Sequence, residues 1–129
     1  MQKIHAERLL KLASFLNTLK KEKFNFDIIA KKEPICGTVG CAIGWCPKVF
    51  PRSFQWINGG NAARVTYLEV CLKNHGRYNF GAVEVFFNIS SDDSEFLFDP
   101  VAYNETNVSP KIVAKRIRSF VKQKLKESR

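Results

Sequence analysis

The sequence has no long run of apolar residues and very little histidine. Its first twenty residues, MQKIHAERLLKLASFLNTLK, separate each short apolar group with charged or polar side chains. They therefore lack the continuous apolar segment of a signal peptide or a membrane span, and we expect a cytoplasmic protein that makes no membrane contact. Only two histidines occur in 129 residues, so the side chain that most often serves as general base or metal ligand is scarce.

The cysteine content and the absence of repeats and low-complexity segments exclude further classes of protein. The four cysteines do not indicate a disulfide framework, because thiols in the cytoplasm stay reduced. No internal repeat or biased linker divides the chain. The hydrophobic fraction of 45% and the 11 phenylalanines supply the apolar surface of a core. We predict that residues 1–129 form a single domain.

Apolar residues recur at helical spacing at both ends of the chain. Residues 4–19 are predicted to form an amphipathic helix. The last helix begins at Ser109-Pro110, since serine caps a helix and proline is tolerated at the first helical position. A helix is also predicted over 79–89.

A second short helix and one hairpin complete the predicted fold. The helix is opened by Ser91 or Asp92 and ends before Pro100. Two runs rich in β-branched and aromatic residues flank Asn58-Gly59-Gly60-Asn61, which predicts a β-hairpin with its turn there. The predicted class is α+β: a small, mainly helical single domain with one β-hairpin.

The stretch CGTVGCAIGWC, residues 36–46, concentrates glycine, cysteine and tryptophan. We interpret it as a tightly packed helix in which Thr38 is the cap, small glycines admit another backbone, cysteines act as compact hydrophobes and tryptophan fills space. The residues assigned this structural role are Gly37, Thr38, Gly40, Cys41, Gly44 and Trp45.

Three chemical interpretations of this stretch compete with the structural one. Cysteines five apart rotate by about 140° on a helix, which disfavours one shared ion. A nucleophilic Cys36 would have His75 or His5 as its base, but no oxyanion glutamine or orienting asparagine can be identified. A phosphate loop lacks its lysine. We therefore predict no metal site and no cofactor, while a thiol- or zinc-dependent enzyme stays an alternative. Its candidate ligands are Cys36, Cys41, Cys46, Cys71 and His75.

CGTVGCAIGW, followed by VFP, FFNIS, LFDPVAY and VAKRIRSFV, resembles a family of small uncharacterised phage and bacterial proteins. The family pattern is a CGTxxCxxGW motif with a later LFxPxxY segment, and the resemblance covers nearly the whole chain. It implies a compact intracellular domain encoded by a phage or prophage. It implies no activity, so no functional residue follows from it.

Basic residues are concentrated at the C-terminal end. The last twenty residues carry eight Lys/Arg and one acidic residue, in a chain of formal charge +9. On a helix, five of these cations lie three or four residues apart, in a strip about 80° wide and roughly 22 Å long. They are Lys111, Lys115, Arg118, Lys122 and Lys126.

This basic strip and the lack of a coherent catalytic set favour a non-enzymatic binding protein. We predict a partner with an acidic surface. If the chain is a phage accessory protein, we expect that partner to be a component of the host. Non-specific nucleic-acid binding by the same helix is the alternative, because phosphates also attract such a strip. Aromatic residues interleaved with the cations, which would stack bases, are missing from it.

Overall fold

The computed structural model describes residues 1–33 and 37–127. Within them the chain forms five α-helices and five β-strands. The helices are α1 (Lys3–Thr18), α2 (Cys46–Val49), α3 (Asn79–Phe87), α4 (Ser91–Phe98) and α5 (Pro110–Glu127). The strands are β1 (Ala30–Glu33), β2 (Gly37–Gly40), β3 (Phe54–Ala62), β4 (Val65–Leu72) and β5 (Arg77–Tyr78). Single 3-10 turns lie at Lys21–Lys23, Ile43–Trp45 and Pro100–Ala102.

The strands of the described chain form one antiparallel sheet. Four of them are ordered β2-β1-β4-β3. β5 pairs with the C-terminal end of β4, along the same edge of β4 that pairs with β1 nearer its start. The chain is therefore α+β, but the prediction of a mainly helical domain with one hairpin is wrong. Residues 30–33 and 37–40 form a second antiparallel pair, which docks on β4 through β1.

The predicted hairpin is present as β3 and β4, but its turn is not at the glycines. The turn lies at Ala63 and Arg64, and Ala63 has a positive φ of 54°. The register of the two strands shifts between Asn58 and Gly60. Gly60 has a φ of 137°, and its N–H donates to Asn58 Oδ1 at 2.8 Å. The glycines serve a β-bulge, which needs the same conformational freedom as a turn.

One face of the sheet carries the core. Phe54 pairs with Leu72 and Trp56 with Val70, so these side chains lie on the same face. Helix α3 packs on β4 and contacts α1, and α1 in turn packs along α5. Five phenylalanine rings join the layers, with neighbouring centroids 4.8 to 6.3 Å apart. They are Phe50, Phe54, Phe86, Phe87 and Phe98.

The helix ends follow from capping chemistry. Ser90 caps α4 by accepting the Asp93 N–H at 3.1 Å, so the cap lies one residue before Ser91, the first of the two predicted opening residues. The Ser109 hydroxyl accepts the Ile112 N–H at 3.3 Å, and α5 begins at Pro110 as predicted. In residues 1–33 and 37–127, none of the helices has both the length and the apolarity that a bilayer crossing requires.

Candidate functional site: the exposed face of the C-terminal helix

The five cations predicted to share one helical face do lie on α5. We call them the basic stripe: Lys111, Lys115, Arg118, Lys122 and Lys126. All five are exposed, and none of them forms a salt bridge with an acidic side chain of the described residues. Lys124, on the opposite side of α5 from the stripe, pairs instead with Asp93 at 3.9 Å and Glu127 at 3.8 Å.

The opposite face of α5 fixes the direction in which the stripe points. Its buried residues are Pro110, Val113, Ala114, Ile117, Phe120 and Val121. They pack the helix along α1 and against α4. Since the buried and basic positions occupy different sides of one continuous helix, burying the first set holds the second set in water.

An apolar groove runs beside the stripe between α4 and α5. It has a volume of about 530 Å³. We call it the α4–α5 groove, and it is lined by Phe96, Ile112, Lys115, Arg116, Ser119, Phe120 and Gln123. Phe96 is 47% exposed, although a phenylalanine ring gains free energy when it leaves water. Lys115 belongs to both the groove and the stripe, so an apolar surface and a row of cations adjoin.

Arg116 is held in place within the groove. Its Nη1 donates to the carbonyl oxygens of Phe96 and Ala102, both at 2.9 Å. Its guanidinium carbon lies 3.6 Å from the Tyr103 ring centroid and 4.4 Å from that of Phe96. Nη2 and Nε donate to no acceptor in the described chain. A fixed guanidinium with free N–H groups is suited to a carboxylate.

Sequence reasoning missed Arg116 and Phe96 as parts of this surface. Arg116 lies outside the strip of about 80° that the other cations define on the helix. The carbonyl groups and aromatic rings that hold Arg116 lie in α4 and in the turn that follows α4. No local sequence pattern shows that these segments contact α5. Only the exposed phenylalanine in an otherwise amphipathic segment could have indicated an unfilled apolar surface.

The glycine and cysteine stretch is not a helix. Gly37 and Thr38 belong to β2, so the prediction that Thr38 caps a helix is wrong. Gly40 ends the strand, and a 3-10 turn and α2 follow. Pro47 lies in the first turn of α2. The physical reason is strand pairing: Gly37 to Gly40 lie opposite β1, which satisfies backbone groups that a helix would satisfy internally.

The glycines in this stretch admit a crossing backbone. A Cβ on Gly44 would lie 1.6 Å from the Ile29 carbonyl oxygen, and one on Gly40 would lie 2.6 Å from the same atom. That carbonyl accepts the Cys41 N–H at 3.1 Å. The backbone just before β1 therefore packs directly against these two glycines.

Both tryptophans fasten this region through their indole N–H groups. Trp45 Nε1 donates to the Lys23 carbonyl at 3.0 Å, and Trp56 Nε1 donates to the Gly44 carbonyl at 2.7 Å. The two rings meet edge to face, with centroids 6.3 Å apart. Buried indoles usually find such acceptors, because an unpaired N–H is costly away from water.

Two of the thiols in this stretch are buried and protonated at neutral pH. Burial raises the pKa of Cys41 to about 11 and that of Cys46 well above its usual value. Their Sγ–H groups point at the carbonyls of Ile29 and Ala42, each at 3.6 Å. A buried thiol without a positive neighbour is a poor nucleophile and a poor metal ligand, since both roles need the thiolate.

Of the remaining candidate metal ligands, Cys71 and His75 form no site with Cys41 and Cys46. Cys71 lies in β4 and His75 in the turn after it, so the two residues do not share a helical face. No group of three potential ligands occurs among residues 1–33 and 37–127. Cys36 lies outside the described residues.

No protein-family model, curated protein or solved structure matches the chain.

Proposed function

We propose that this protein is a non-enzymatic binding protein that docks an acidic segment of another protein along α5. The docking surface is the basic stripe together with the α4–α5 groove. The observation that carries the proposal is a row of five exposed cations, without salt bridges to described acidic groups, beside an apolar groove that one of them, Lys115, also lines.

The stripe itself supports an acidic partner. Like charges one turn apart on a helix repel by a few tenths of a kcal/mol per pair, and the stripe contains four such neighbouring pairs. A partner that brings carboxylates at similar spacing removes this repulsion and gains attraction. Such charge complementarity mainly raises the association rate and fixes the orientation of the complex.

The groove favours a protein over a nucleic acid. A phosphate backbone offers charge but little aliphatic surface, so it would leave Phe96 uncovered. An amphipathic helix offers both carboxylates for the stripe and apolar side chains for the groove. Arg116 adds a fixed guanidinium within the groove. The stripe spans roughly 22 Å, which corresponds to a partner helix of about 15 residues.

A binding titration tests this function. The probe is a fluorescent amphipathic peptide of about 18 residues with glutamates on one face and leucines beside them, enough to cover the stripe. Its control is a peptide of the same composition in scrambled order. We expect the ordered peptide to bind the protein more tightly than the scrambled one, with an affinity that falls as salt rises.

Charge-reversed variants locate the surface. The first variant reverses Lys111, Lys115, Arg118 and Lys122 to glutamate. The matched control reverses four exposed cations elsewhere, Lys20, Lys32, Lys48 and Arg64, so both variants change the net charge equally. We expect the stripe variant to lose at least about tenfold in affinity, and the control to lose far less.

Two results contradict the proposal. Equal losses in both variants would show that only the net charge of the protein matters. Tighter binding of a DNA duplex than of the ordered peptide at the same salt, abolished by the stripe variant, would establish the nucleic-acid alternative in its place.

A further inference from the structure

A second set of cations meets in a concave surface on the other side of α1. Two adjoining clefts, of about 500 and 320 Å³, lie between α1, the turn at 50–53 and the turn that follows β4. Arg8, Arg52, Ser53 and Phe86 line both clefts. None of the residues of either cleft belongs to α5, so this surface is separate from the docking surface proposed above.

Arg8 is fixed at the junction of the two clefts. Its Nη1 donates to the Phe86 carbonyl at 2.7 Å, and its guanidinium carbon lies 4.1 Å from the centroid of the Phe86 ring. The group is half-buried. A guanidinium held by a carbonyl and an aromatic ring loses little further entropy when it binds an anion.

Lys73 is fixed from the other side. Its Nζ donates to the Pro51 carbonyl at 2.9 Å, and its backbone N–H donates to the Ser53 carbonyl at 2.8 Å. These two bonds fasten the turn after β4 to the turn at 50–53. They hold Lys73 beside Arg52, which is exposed and forms no salt bridge with the described acidic residues.

The charge of this surface is not balanced locally. The larger cleft adds Lys11, whose Nζ lies 5.5 Å from the Phe50 ring centroid. Glu7 is the acidic residue that lines the larger cleft, and it is already paired with Lys3 at 3.9 Å. The smaller cleft has no acidic lining residue in the described chain. Folding thus brings together cations from three segments, with Glu7 as the acidic residue among the lining residues of the two clefts.

We propose that these clefts form a binding site for a small phosphorylated ligand, with Arg8, Arg52 and Lys73 around its phosphoryl group. Guanidinium groups match phosphoryl oxygens in geometry as well as charge, and the Ser53 hydroxyl supplies a neutral donor beside them. We favour a small ligand over a nucleic-acid strand because Arg8 is half-buried within a concave surface.

Titrations monitored by backbone amide NMR test this site. The probes are inorganic phosphate, pyrophosphate, a nucleoside triphosphate and a single-stranded oligonucleotide. We expect saturable shifts at Arg52, Ser53 and Lys73 with pyrophosphate or the triphosphate, while amides of α5 stay in place. Saturable shifts confined to α5, or shifts that grow linearly over every basic surface, would overturn the proposal.

Substitutions decide whether the cations that line the clefts are responsible. Arg52→Ala removes an exposed side chain, so folding is preserved. Arg64→Ala, at the exposed turn between β3 and β4, removes the same charge elsewhere. We expect Arg52→Ala to weaken pyrophosphate binding by about tenfold, as loss of a charge-assisted hydrogen bond does, and Arg64→Ala to change it little. Equal effects would overturn the proposal, as would oligonucleotide binding that is tighter than triphosphate binding and strengthens with strand length.

Discussion

Replacing Gly44 with alanine tests the close packing on which the fold depends. The added Cβ would lie 1.6 Å from the Ile29 carbonyl oxygen and 2.7 Å from its carbonyl carbon. The carbonyl must withdraw by at least about 1.4 Å to reach 3.0 Å, the nearest distance that real Cβ atoms tolerate. Backbone on both sides is constrained, because Ile29 leads directly into β1, which pairs with both β2 and β4.

The energetic cost follows from two effects. Overpacking a rigid site costs about 1–3 kcal/mol. The withdrawal also breaks the hydrogen bond from the Cys41 N–H to the Ile29 carbonyl, worth about 1 kcal/mol. We therefore expect Gly44→Ala to lower the free energy of unfolding by about 3 kcal/mol and the melting temperature by roughly 10 °C.

Urea unfolding followed by circular dichroism measures this loss, and Gly81→Ala is the matched control. Gly81 lies in α3 with no atom within 4 Å of the position that its Cβ would take. Alanine there should stabilise the protein by about 0.5 kcal/mol, because alanine restricts the unfolded chain and favours the helix. If Gly44→Ala unfolds within about 0.5 kcal/mol of the original protein, the close approach to Ile29 has been misjudged.

Three further predictions concern single positions. Cys41 and Cys46 should react slowly with iodoacetamide at pH 8 and rapidly after urea unfolding, since their raised pKa values keep them protonated; peptide mapping by mass spectrometry reads this out, and fast native labelling would contradict it. Ser90→Ala should cost about 1 kcal/mol in urea unfolding, because it removes the cap of α4; an unchanged midpoint would show that the cap is dispensable. Asn88 has a φ of 52° at the end of α3, so Asn88→Gly should preserve or raise the melting temperature and Asn88→Ala should lower it, and the reverse order would refute the left-handed conformation.

Sequence patterns predicted the elements that have strong local signals. The long helices show apolar spacing, and β3 with β4 has the β-branched and aromatic content of a hairpin. β1 and β2 have neither signal: AKKE contains two lysines, and GTVG begins and ends with glycine. β1 is stabilised by pairing with β2 and β4, and the Ile29 carbonyl before it packs against Gly40 and Gly44. Such long-range contacts leave no local pattern.

The candidate sites divide in the same way. The basic stripe follows from the spacing of residues within one helix, so it could be located from the sequence. Arg116 depends on carbonyls twenty and fourteen residues before it, and the cleft of Arg8, Arg52 and Lys73 joins three distant segments. Sites built by tertiary contact between separate elements are not visible in a single sequence read by periodicity.

A charge-reversal cycle is the most direct measurement of the proposed docking along α5. Lys115 lies in both the stripe and the groove, so it is the position to reverse, and the ordered acidic peptide is titrated in versions that each carry one lysine in place of one glutamate. We expect Lys115→Glu to weaken binding of the original peptide, and one reversed peptide to restore most of the affinity for that variant. The contradicting result is additivity: every reversed peptide binds Lys115→Glu with a loss equal to the sum of the loss from the protein substitution and the loss from the peptide substitution. In that case no carboxylate of the partner lies beside Lys115, and the account of α5 as a docking helix is contradicted.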